Sequence, residues 1–514
     1  MTCLCALSFS AMKGQLLYLL LSIPQIIFAQ KEDYNWIMGT GSTDPDSSYK
    51  LNHISFLGDT FKAELLYESI PFFGSESIIS DSAGNLVCYT NGLNLYNKQH
   101  QIMQNGNSFQ SSTQFPFGFP FNQSALILPL PDSGGVYFML DASHIDIGTT
   151  IIVKTLRYSV IDGNLNNGLG KVTLKNISLT SSQDTLNIGH MTAVRHGNGR
   201  DWWILTSKYQ TNTYRRYLLS DKGLENKGEQ SIGELTTNGV GYSAFSSDGT
   251  WYARYNTYGQ TSNPKASVHF YRFDRCTGLL RDAHYKFYPG IDVYGGVAFS
   301  PNSRYLYVSK YTKIFQYDLE AADILASEQV VAEYDGFIDG IGVPTRFYGL
   351  LLAPDGKIYG NIPNFNSRYI HVIDQPNLPG DSCNVIQHAI FLPADNFGTL
   401  PNVPYYRLYE AEGSPCDTLT TTTHWALPPL VPNIRVWPVP AADVLYFSAE
   451  GEWPEPLGLR LYDAVGRLAL SMDGLRVSPY AQINLDALPA GVYFYALMRQ
   501  NGATVKTGKV VRTR

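Results

Sequence analysis

The clearest indication of the architecture of this chain is the stretch Ala244-Phe-Ser-Ser-Asp-Gly-Thr-Trp-Tyr252. A small residue and an aromatic residue lead into a Ser-Asp-Gly turn, and aromatic residues follow the turn. The Asp-Gly pair suits a tight turn that needs positive φ angles, and aromatic residues favour half-buried strands. The stretch therefore predicts a β-hairpin with one strand on each side of the turn.

The same pattern recurs along the chain. Residues 79–89, 194–204, 298–307 and 352–359 each place apolar or aromatic residues around a turn that contains Gly, Asn or Asp. The stretches that begin at residues 194, 244, 298 and 352 are spaced by roughly 50 residues, a period typical of four-stranded propeller blades. A second strand-like run that ends in Asp follows three of these stretches, at residues 268–274, 314–318 and 369–374.

These repeats predict an all-β fold, a seven-bladed β-propeller followed by a small Ig-like β-sandwich. At about 50 residues per blade, residues 34–410 hold about seven blades. Radial repetition leaves only short strand edges exposed, which protects a strand-rich chain from edge-to-edge aggregation. A β-sandwich array and a β-helix are the competing folds, and the β-helix needs a period about half as long.

Composition agrees with a folded β protein and excludes other classes. The chain has 514 residues, of which 16% are charged and 13% are aromatic. This excludes intrinsic disorder and coiled coils, because those classes are poor in aromatic residues and rich in charged ones. The formal net charge is −6, so the chain lacks the basic field that nucleic acid binding requires, and we expect no nucleic acid partner.

The N-terminus carries the features of a secretory signal. Lys13 precedes an apolar run over residues 15–29 that Pro24 interrupts. A basic start, a short apolar core and a small final residue predict a signal peptide over residues 1–29, cleaved before Gln30. An uncleaved anchor is the alternative, although the run is shorter and more broken than a spanning helix. We expect no transmembrane anchor after cleavage.

A separate small module follows the predicted propeller, which spans residues 30–416. Residues 417–432 are rich in Thr and Pro and predict a linker. Residues 433–514 alternate in short runs that predict the strands of an Ig-like β-sandwich. These runs are residues 434–437, 443–447, 459–463, 482–485, 491–496 and 506–511.

The module resembles the type A C-terminal sorting domain of the type IX secretion system. The resemblance rests on Trp437-Pro-Val-Pro440, Leu461-Tyr-Asp-Ala-Val-Gly-Arg467, Leu488-Pro-Ala-Gly-Val-Tyr493 and Gly508-Lys-Val-Val511, in that order. It departs from the family at Val439, where members usually have Asn. The residues that match the motifs are Pro438, Pro440, Tyr462, Asp463, Gly466, Arg467, Gly491, Tyr493, Gly508 and Lys509.

This resemblance implies that the type IX secretion machinery is a partner and that the protein is secreted or held at the outer cell surface. The family's sorting domains are often removed on release. An ordinary C-terminal Ig-like domain is the alternative. The preceding repeats resemble secreted seven-bladed propellers of the Bacteroidetes, through residues 81–106, Arg200-Asp-Trp-Trp203, residues 273–278 and residues 378–402. That likeness implies architecture and little about function, because propellers bind, scaffold and catalyse.

Four cysteines remain after the predicted signal, Cys88, Cys276, Cys383 and Cys416. An even number outside the cytoplasm permits disulfides, and the spacing fits no zinc pattern. We predict a disulfide between Cys383 and Cys416, because both lie in loop-like sequence. Buried free thiols in a β core are the alternative.

The sequence offers no catalytic set, and we predict no catalytic residues and no cofactor. It lacks a Gly-x-Ser-x-Gly elbow, a His-Glu-x-x-His motif and a phosphate loop. His190 and His196 are predicted to flank a turn, where a metal or general-base role competes with the simpler role of turn and surface histidines.

Acidic and aromatic residues supply further hypotheses. Asp44 and Asp46 offer oxygen ligands for calcium, but the EF-hand Gly and distal Glu are missing, and an exposed loop is the alternative. The Asp residues of the hairpins are predicted to cap turns, with a shared ion role as the alternative; they are Asp81, Asp248 and Asp355.

Strand alternation predicts that one residue of each aromatic pair, at residues 202–203 and 251–252, packs between blades, with glycan stacking as the alternative. The Phe-rich residues 108–121 are predicted to cover a blade junction, with a partner as the alternative cover.

We therefore predict an exported β-propeller that acts as a binding or interaction module. Its extracellular ligand, a glycan or a protein, is expected over the central channel, where loops of several blades converge. A secreted hydrolase or lyase with a site at the channel mouth is one alternative. A structural component of a surface or adhesive layer is the other.

Overall fold

The computed structural model describes two parts of the chain. The first is residues 30–416, apart from residues 40, 42–49, 59–60, 111–114, 116–117, 147–150, 181–183, 237–238, 240, 259–264, 291–293, 364–365 and 412. The second is residues 434–513, apart from residues 450–455, 479 and 500–503. The predicted signal peptide, the predicted linker, and Asp44 and Asp46 lie outside the described residues.

The first part forms seven antiparallel sheets, which we name blades A to G in chain order. Blades A and B have three strands each: β1 (Asn35–Gly39), β2 (Leu51–Ser55) and β3 (Lys62–Leu66); β4 (Ser77–Ser80), β5 (Leu86–Thr90) and β6 (Leu95–Asn97). Blades C and D have four: β7 (Ala125–Pro129), β8 (Val136–Asp146), β9 (Ile151–Asp162) and β10 (Lys171–Ser178); β11 (Thr192–Arg195), β12 (Trp202–Ser207), β13 (Thr213–Ser220) and β14 (Gly223–Ser231).

Blades E to G also have four strands each. They are β15 (Ser243–Phe245), β16 (Trp251–Tyr258), β17 (Lys265–Asp274) and β18 (Leu279–Tyr288); β19 (Gly295–Phe299), β20 (Tyr305–Lys310), β21 (Lys313–Asp318) and β22 (Gln329–Glu333); β23 (Leu350–Leu352), β24 (Ile358–Gly360), β25 (Ser367–Ile373) and β26 (Val385–Asn396). One short α-helix, α1 (Leu165–Gly168), and two 3-10 turns, Leu325–Ser327 and Gly380–Cys383, interrupt the strands. In the described part of the chain, none of the helices has the length and apolar character that a membrane span requires.

Apolar side chains pack between neighbouring blades and close the sheets into a ring. Each of the following pairs belongs to one core cluster and joins two blades. Ile37 and Ile78 join A to B, Trp203 and Tyr252 join D to E, Tyr307 and Ile358 join F to G, and Trp36 and Tyr359 join G to A. The contact between the last blade and the first is an edge-to-face pair, with the ring centroids of Trp36 and Tyr359 5.8 Å apart. The predicted seven-bladed propeller is therefore confirmed.

The predicted hairpins form as expected, because the polar groups of each turn form hydrogen bonds within the turn. The Oδ1 atom of Asp248 accepts a hydrogen bond from the backbone N–H of Thr250 at 2.9 Å, and Asp81 and Asp355 cap their turns in the same way. The prediction of turn capping is confirmed. The predicted core packing of the aromatic pairs at residues 202–203 and 251–252 is confirmed. Both residues of each pair are buried, in different core clusters, whereas strand alternation predicts the burial of only one.

The Phe-rich segment is also covered by its own chain. Phe109, Phe119 and Phe121 are buried, and the ring centroids of Phe115 and Phe119 lie 4.9 Å apart. Phe117 lies outside the described residues. The segment packs on the core shared by blades A to D. The prediction that it covers a junction between blades is therefore confirmed for the described residues.

The predicted disulfide is wrong, because the structure pairs Cys416 with Cys276. Cys276 lies in the turn between β17 and β18, and the disulfide packs on Gly197. Cys383 instead points into the core between blades F and G, where burial raises the pKa of its thiol to about 11. Cys88 is also a buried free thiol.

The second part is a β-sandwich of two sheets. The first sheet contains β27 (Ile434–Trp437), β28 (Val444–Ala449) and β31 (Ala481–Asn484). The second has the order β30-β29-β32-β33, from β29 (Leu457–Asp463), β30 (Leu468–Leu475), β32 (Gly491–Met498) and β33 (Thr504–Arg512). Strand β30 is absent from the predicted runs, although Leu468, Leu470 and Met472 alternate along it; it is an edge strand, and most of its residues are exposed.

Candidate functional site

The chain fills the central channel of the propeller with its own residues. Residues 399–405, which we name the axial segment, follow blade G and lie against the first strands of blades D to G. A cavity of about 50 Å³ remains between the axial segment and these strands. The channel therefore has room for water but not for a ligand of the size of a sugar.

Asn402 fixes the axial segment to three blades. Its side-chain amide donates hydrogen bonds to the carbonyl oxygen of Ala125 at 2.8 Å and to that of Met191 at 2.9 Å. Its backbone N–H donates to the carbonyl of Glu76 at 2.7 Å, and its carbonyl accepts from the Ser77 hydroxyl at 2.9 Å. These bonds satisfy polar groups that the inner strands would otherwise bury unpaired.

Buried charged and polar groups near the axis have structural roles. The Glu76 carboxyl is fully buried, and desolvation raises its pKa well above the ordinary value. The ring of His190 is buried and lies 2.8 Å from the carbonyl of Tyr255, and burial beside Arg254 lowers its pKa to about 3. A neutral, fully enclosed His190 has no access to a substrate.

The two histidines singled out by the sequence do not come together. His190 and His196 flank strand β11 rather than a turn, so the interpretation of His190 as a turn or surface residue is wrong. His196 lies in the turn after β11, where Nε2 is 3.2 Å from the carbonyl of Cys276 and Nδ1 accepts from the N–H of Asn198. Among the residues that the structure describes, no three His, Cys, Asp or Glu side chains form a metal site.

A charged cleft of about 370 Å³ opens at the end of the ring where the axial segment leaves. We name it the Glu32 cleft. It is lined by the residues before β1, by the β7–β8 and β11–β12 turns and by the chain that follows the axial segment: Gln30, Glu32, Pro129, Leu130, Pro131, Asp132, Arg195, Asn198, Gly199, Arg200 and Glu410. Segments distant in sequence thus converge at the channel mouth.

Two charged groups of the cleft have unused hydrogen-bonding capacity. The Oε2 atom of Glu32 and the Nε atom of Arg195 are buried and have no partner among the described residues. Desolvation raises the pKa of Glu32 to about 6, although Arg195 opposes the shift. The guanidinium of Arg195 lies 4.0 Å above the Trp202 ring, which fixes its plane.

The rest of the cleft is held rigidly by ion pairs. Arg200 bonds Asp132 and Asp201, each at 2.9 Å, and so ties two blade turns together. Arg407 pairs with Asp33 beside the cleft. Sequence inspection missed the cleft, because its donor and acceptor residues belong to no motif and come from separate segments. A carboxylate oxygen and a guanidinium N–H that both lack a partner can bind a group that both donates and accepts hydrogen bonds.

The residues of the sandwich that match the sorting-domain motifs lie mostly in turns and in the second sheet. The Asp463 carboxylate accepts from the backbone N–H groups of Val465 and Arg467 and pairs with the Arg467 side chain at 2.8 Å, around Gly466 at a φ of 82°. Pro438 and Pro440 both follow cis peptide bonds after β27.

Two more motif positions concern packing inside the second sheet. The Tyr493 hydroxyl donates to the carbonyl of Pro489 at 2.7 Å. Gly508 lies beneath the buried ring of Tyr495, where a Cβ atom would come within 2.5 Å of the hydroxyl oxygen. The absence of a side chain at Gly508 is therefore what lets Tyr495 reach the core.

Comparison with known proteins identifies the sandwich. Residues 435–511 match the family described as the secretion system C-terminal sorting domain. The predicted identity of this module is confirmed, and the domain marks the chain for export to the cell surface or the extracellular space. No curated protein matches the chain.

Solved structures of other proteins are also similar to this chain. A protein from Lactobacillus plantarum is 12% identical over 71% of this chain and 96% of its own, with a TM-score of 0.41. A candidate 6-phosphogluconolactonase from Bacteroides fragilis is 11% identical over 71% of this chain and 97% of its own, also at 0.41. The Nup133 β-propeller domain of Vanderwaltozyma polyspora is 10% identical over 61% of this chain and 92% of its own, with a TM-score of 0.29.

Proposed function

We propose that this exported propeller is an extracellular binding module whose ligand binds in the Glu32 cleft. The filled channel carries the proposal, since the axial segment leaves only about 50 Å³ on the axis. The Glu32 cleft lies at the mouth of the same channel and offers about 370 Å³. A ligand that approaches this end of the ring meets the charged groups that line this cleft.

The chemistry of the cleft favours a glycan. Glu32 offers a buried acceptor and Arg195 a buried donor, and neither has a partner among the described residues. A sugar hydroxyl accepts one hydrogen bond and donates another, so neighbouring hydroxyls can satisfy both groups. Binding then removes two buried unsatisfied groups, each of which costs about 1–3 kcal/mol.

A glycan hydrolase is the second candidate, and the pKa of Glu32 favours it. A carboxyl with a pKa of about 6 keeps part of its population protonated near neutral pH, as a general acid requires. Asp132 and Glu410 line the same cleft and supply further carboxylates, and glycosidases work with two. A structural role in a surface layer is the remaining alternative.

The test is a glycan array combined with metal analysis of the secreted protein. Glu32→Gln removes the charge of the proposed acceptor, and Glu320→Gln, an exposed residue of blade F, is the matched control. We expect wild type and the control to bind the same glycans and Glu32→Gln to lose at least tenfold in affinity.

Each other outcome selects an alternative. Release of new reducing ends from a bound glycan by wild type identifies a hydrolase. If wild type binds no glycan and no metal, both the glycan-binding function and the enzyme are wrong, and the surface-layer role remains.

A further inference from the structure

We propose that the outward face of the second sheet of the sorting domain is the surface that a protein of the export apparatus binds. The centre of this surface is a row of four residues, Leu468, Tyr462, Phe494 and Lys509, which we name the sorting row. The proposal does not depend on the ligand of the propeller.

The strand registers place the four residues side by side. Tyr462 of β29 is paired with Leu468 of β30 on one side and with Phe494 of β32 on the other. Phe494 is in turn paired with Lys509 of β33. Directly opposed residues of neighbouring strands project from the same face of a sheet, so the row crosses all four strands.

The row is more apolar than a solvent-facing sheet surface should be. Leu468 is 55% exposed and Phe494 is 48% exposed. The opposite face of the same sheet already contributes the domain core through Leu461, Tyr495 and their neighbours. A sheet that packs by one face normally presents polar residues on the other, and exposed apolar patches mark binding surfaces.

The charge of the domain indicates the chemistry of the partner. Residues 433–514 contain nine Lys and Arg against seven Asp and Glu, a net charge of +2, whereas the rest of the chain has 29 against 37, a net charge of −8. Lys509 ends the row and also lines a neighbouring cleft of about 710 Å³, together with Lys506 and Trp437. The fitting partner is a protein with an apolar surface edged by carboxylates.

Two stretches of the sorting motif meet in this row. Tyr462 belongs to the stretch Leu461-Tyr-Asp-Ala-Val-Gly-Arg467, and Lys509 belongs to Gly508-Lys-Val-Val511. The fold joins them through Phe494, which follows the motif residue Tyr493. A family match that covers residues 435–511 identifies the domain as a secretion signal, and the row is where its separate stretches form one surface.

The test measures export of the full-length protein in a bacterium that has the type IX system. Phe494→Ser removes the apolar centre of the row, Lys509→Glu reverses its charge, and Lys509→Arg keeps the charge. Tyr480→Ser is the matched control, because Tyr480 is 55% exposed and lies outside the second sheet. We expect Phe494→Ser and Lys509→Glu to lower the exported amount at least tenfold with periplasmic accumulation. Lys509→Arg should restore most of the export lost in Lys509→Glu, and Tyr480→Ser should match wild type.

Melting temperatures of the purified full-length variants separate docking from folding. If Phe494→Ser lowers the melting temperature, the comparison of Lys509→Glu with Lys509→Arg decides the question. Wild-type export of both Lys509→Glu and Phe494→Ser overturns the proposal, and so does an equal loss of export in Tyr480→Ser. If Lys509→Glu is exported like wild type but no longer binds vesicles of purified lipopolysaccharide, the row binds a lipid surface and the proposal is wrong.

Discussion

The carboxylate of Asp33 and the guanidinium of Arg407 form a two-point ion pair, with N–O distances of 2.6 Å and 2.9 Å. The two residues are separated by 374 positions and lie at the two ends of the propeller chain. The side chain of Asp33 is only 3% exposed. The pair therefore joins the segment before β1 to the chain that leaves the channel.

Replacement of Asp33 by Asn should destabilise the propeller by about 3–5 kcal/mol, because Arg407 would remain in a largely buried site without a counter-charge. Urea unfolding of the secreted protein measures the loss. Glu320→Gln breaks a pair in which Glu320 is 68% exposed and should change stability by less than about 1 kcal/mol. Equal losses in the two variants would contradict the role of the buried pair.

Asn402→Ala should weaken the attachment of the axial segment. The variant leaves the carbonyl groups of Ala125 and Met191 without their donors in a buried site. Unsatisfied buried groups cost about 1–3 kcal/mol each, so for these two carbonyls we expect a loss of about 2–6 kcal/mol in the free energy of unfolding. Asn164→Ala is the control, because the Asn164 side chain bonds Gly134 at an exposed turn. A loss of under 1 kcal/mol for Asn402→Ala would show that the segment is held by other contacts.

Local chemistry explains why most of the fold could be predicted. An Asp-Gly turn such as that at Asp248 forms hydrogen bonds within a few residues, so its hairpin is encoded locally. The period of the hairpins then indicates blades. Strand β14 (Gly223–Ser231) has mostly exposed polar residues, and its sequence does not indicate a strand. It is a strand because it pairs with β13.

Contacts between distant segments explain what sequence analysis missed. The Glu32 cleft combines Glu32, Arg195 and Glu410, which no spacing rule connects. The disulfide partner of Cys416 depended on which cysteine the ring brings near residue 416. Cys276 lies half-buried in a turn and Cys383 in a core, although the sequence around Cys383 looks loop-like.

The disulfide between Cys276 and Cys416 should anchor the end of the propeller chain. It closes a loop with a sequence separation of 140 residues, and the loop-entropy model gives a stabilisation of about 5 kcal/mol for loops of this length. Cys276→Ser should therefore lower the unfolding free energy by several kcal/mol, whereas Cys383→Ser changes only a buried thiol. Peptide mapping of the non-reduced secreted protein provides a direct check. A cross-link that contains Cys383 would refute this pairing.

Glu32 should make stability depend on pH. Its pKa is about 6 in the folded protein against 4.5 for the free residue, so folding favours the protonated form. The stabilisation is complete below pH 4.5 and is lost as the pH rises through 6, by about 2 kcal/mol in total. Glu32→Gln removes this dependence. As the pH rises from 4.5 to 7.5, its free energy of unfolding should therefore increase by about 2 kcal/mol relative to that of wild type. Urea unfolding across that range tests it, and parallel curves for the two proteins would contradict it.

Two glycines of the sorting motif should respond differently to substitution by Ala. A Cβ atom at Gly508 would lie 2.5 Å from the hydroxyl oxygen and 2.6 Å from Cε1 of Tyr495, whose ring is buried. At Gly491 the nearest atom lies 3.9 Å away, which is ordinary contact.

Gly508→Ala should therefore destabilise the sorting domain by about 1–3 kcal/mol and reduce the exported amount, because overpacking forces the ring from its site. Gly491→Ala should stay within about 0.5 kcal/mol of wild type and export normally. Thermal unfolding of the full-length variants and quantification of the protein in the medium measure both effects. If Gly491→Ala blocks export without loss of stability, Gly491 contacts the machinery directly, and packing alone does not explain the motif.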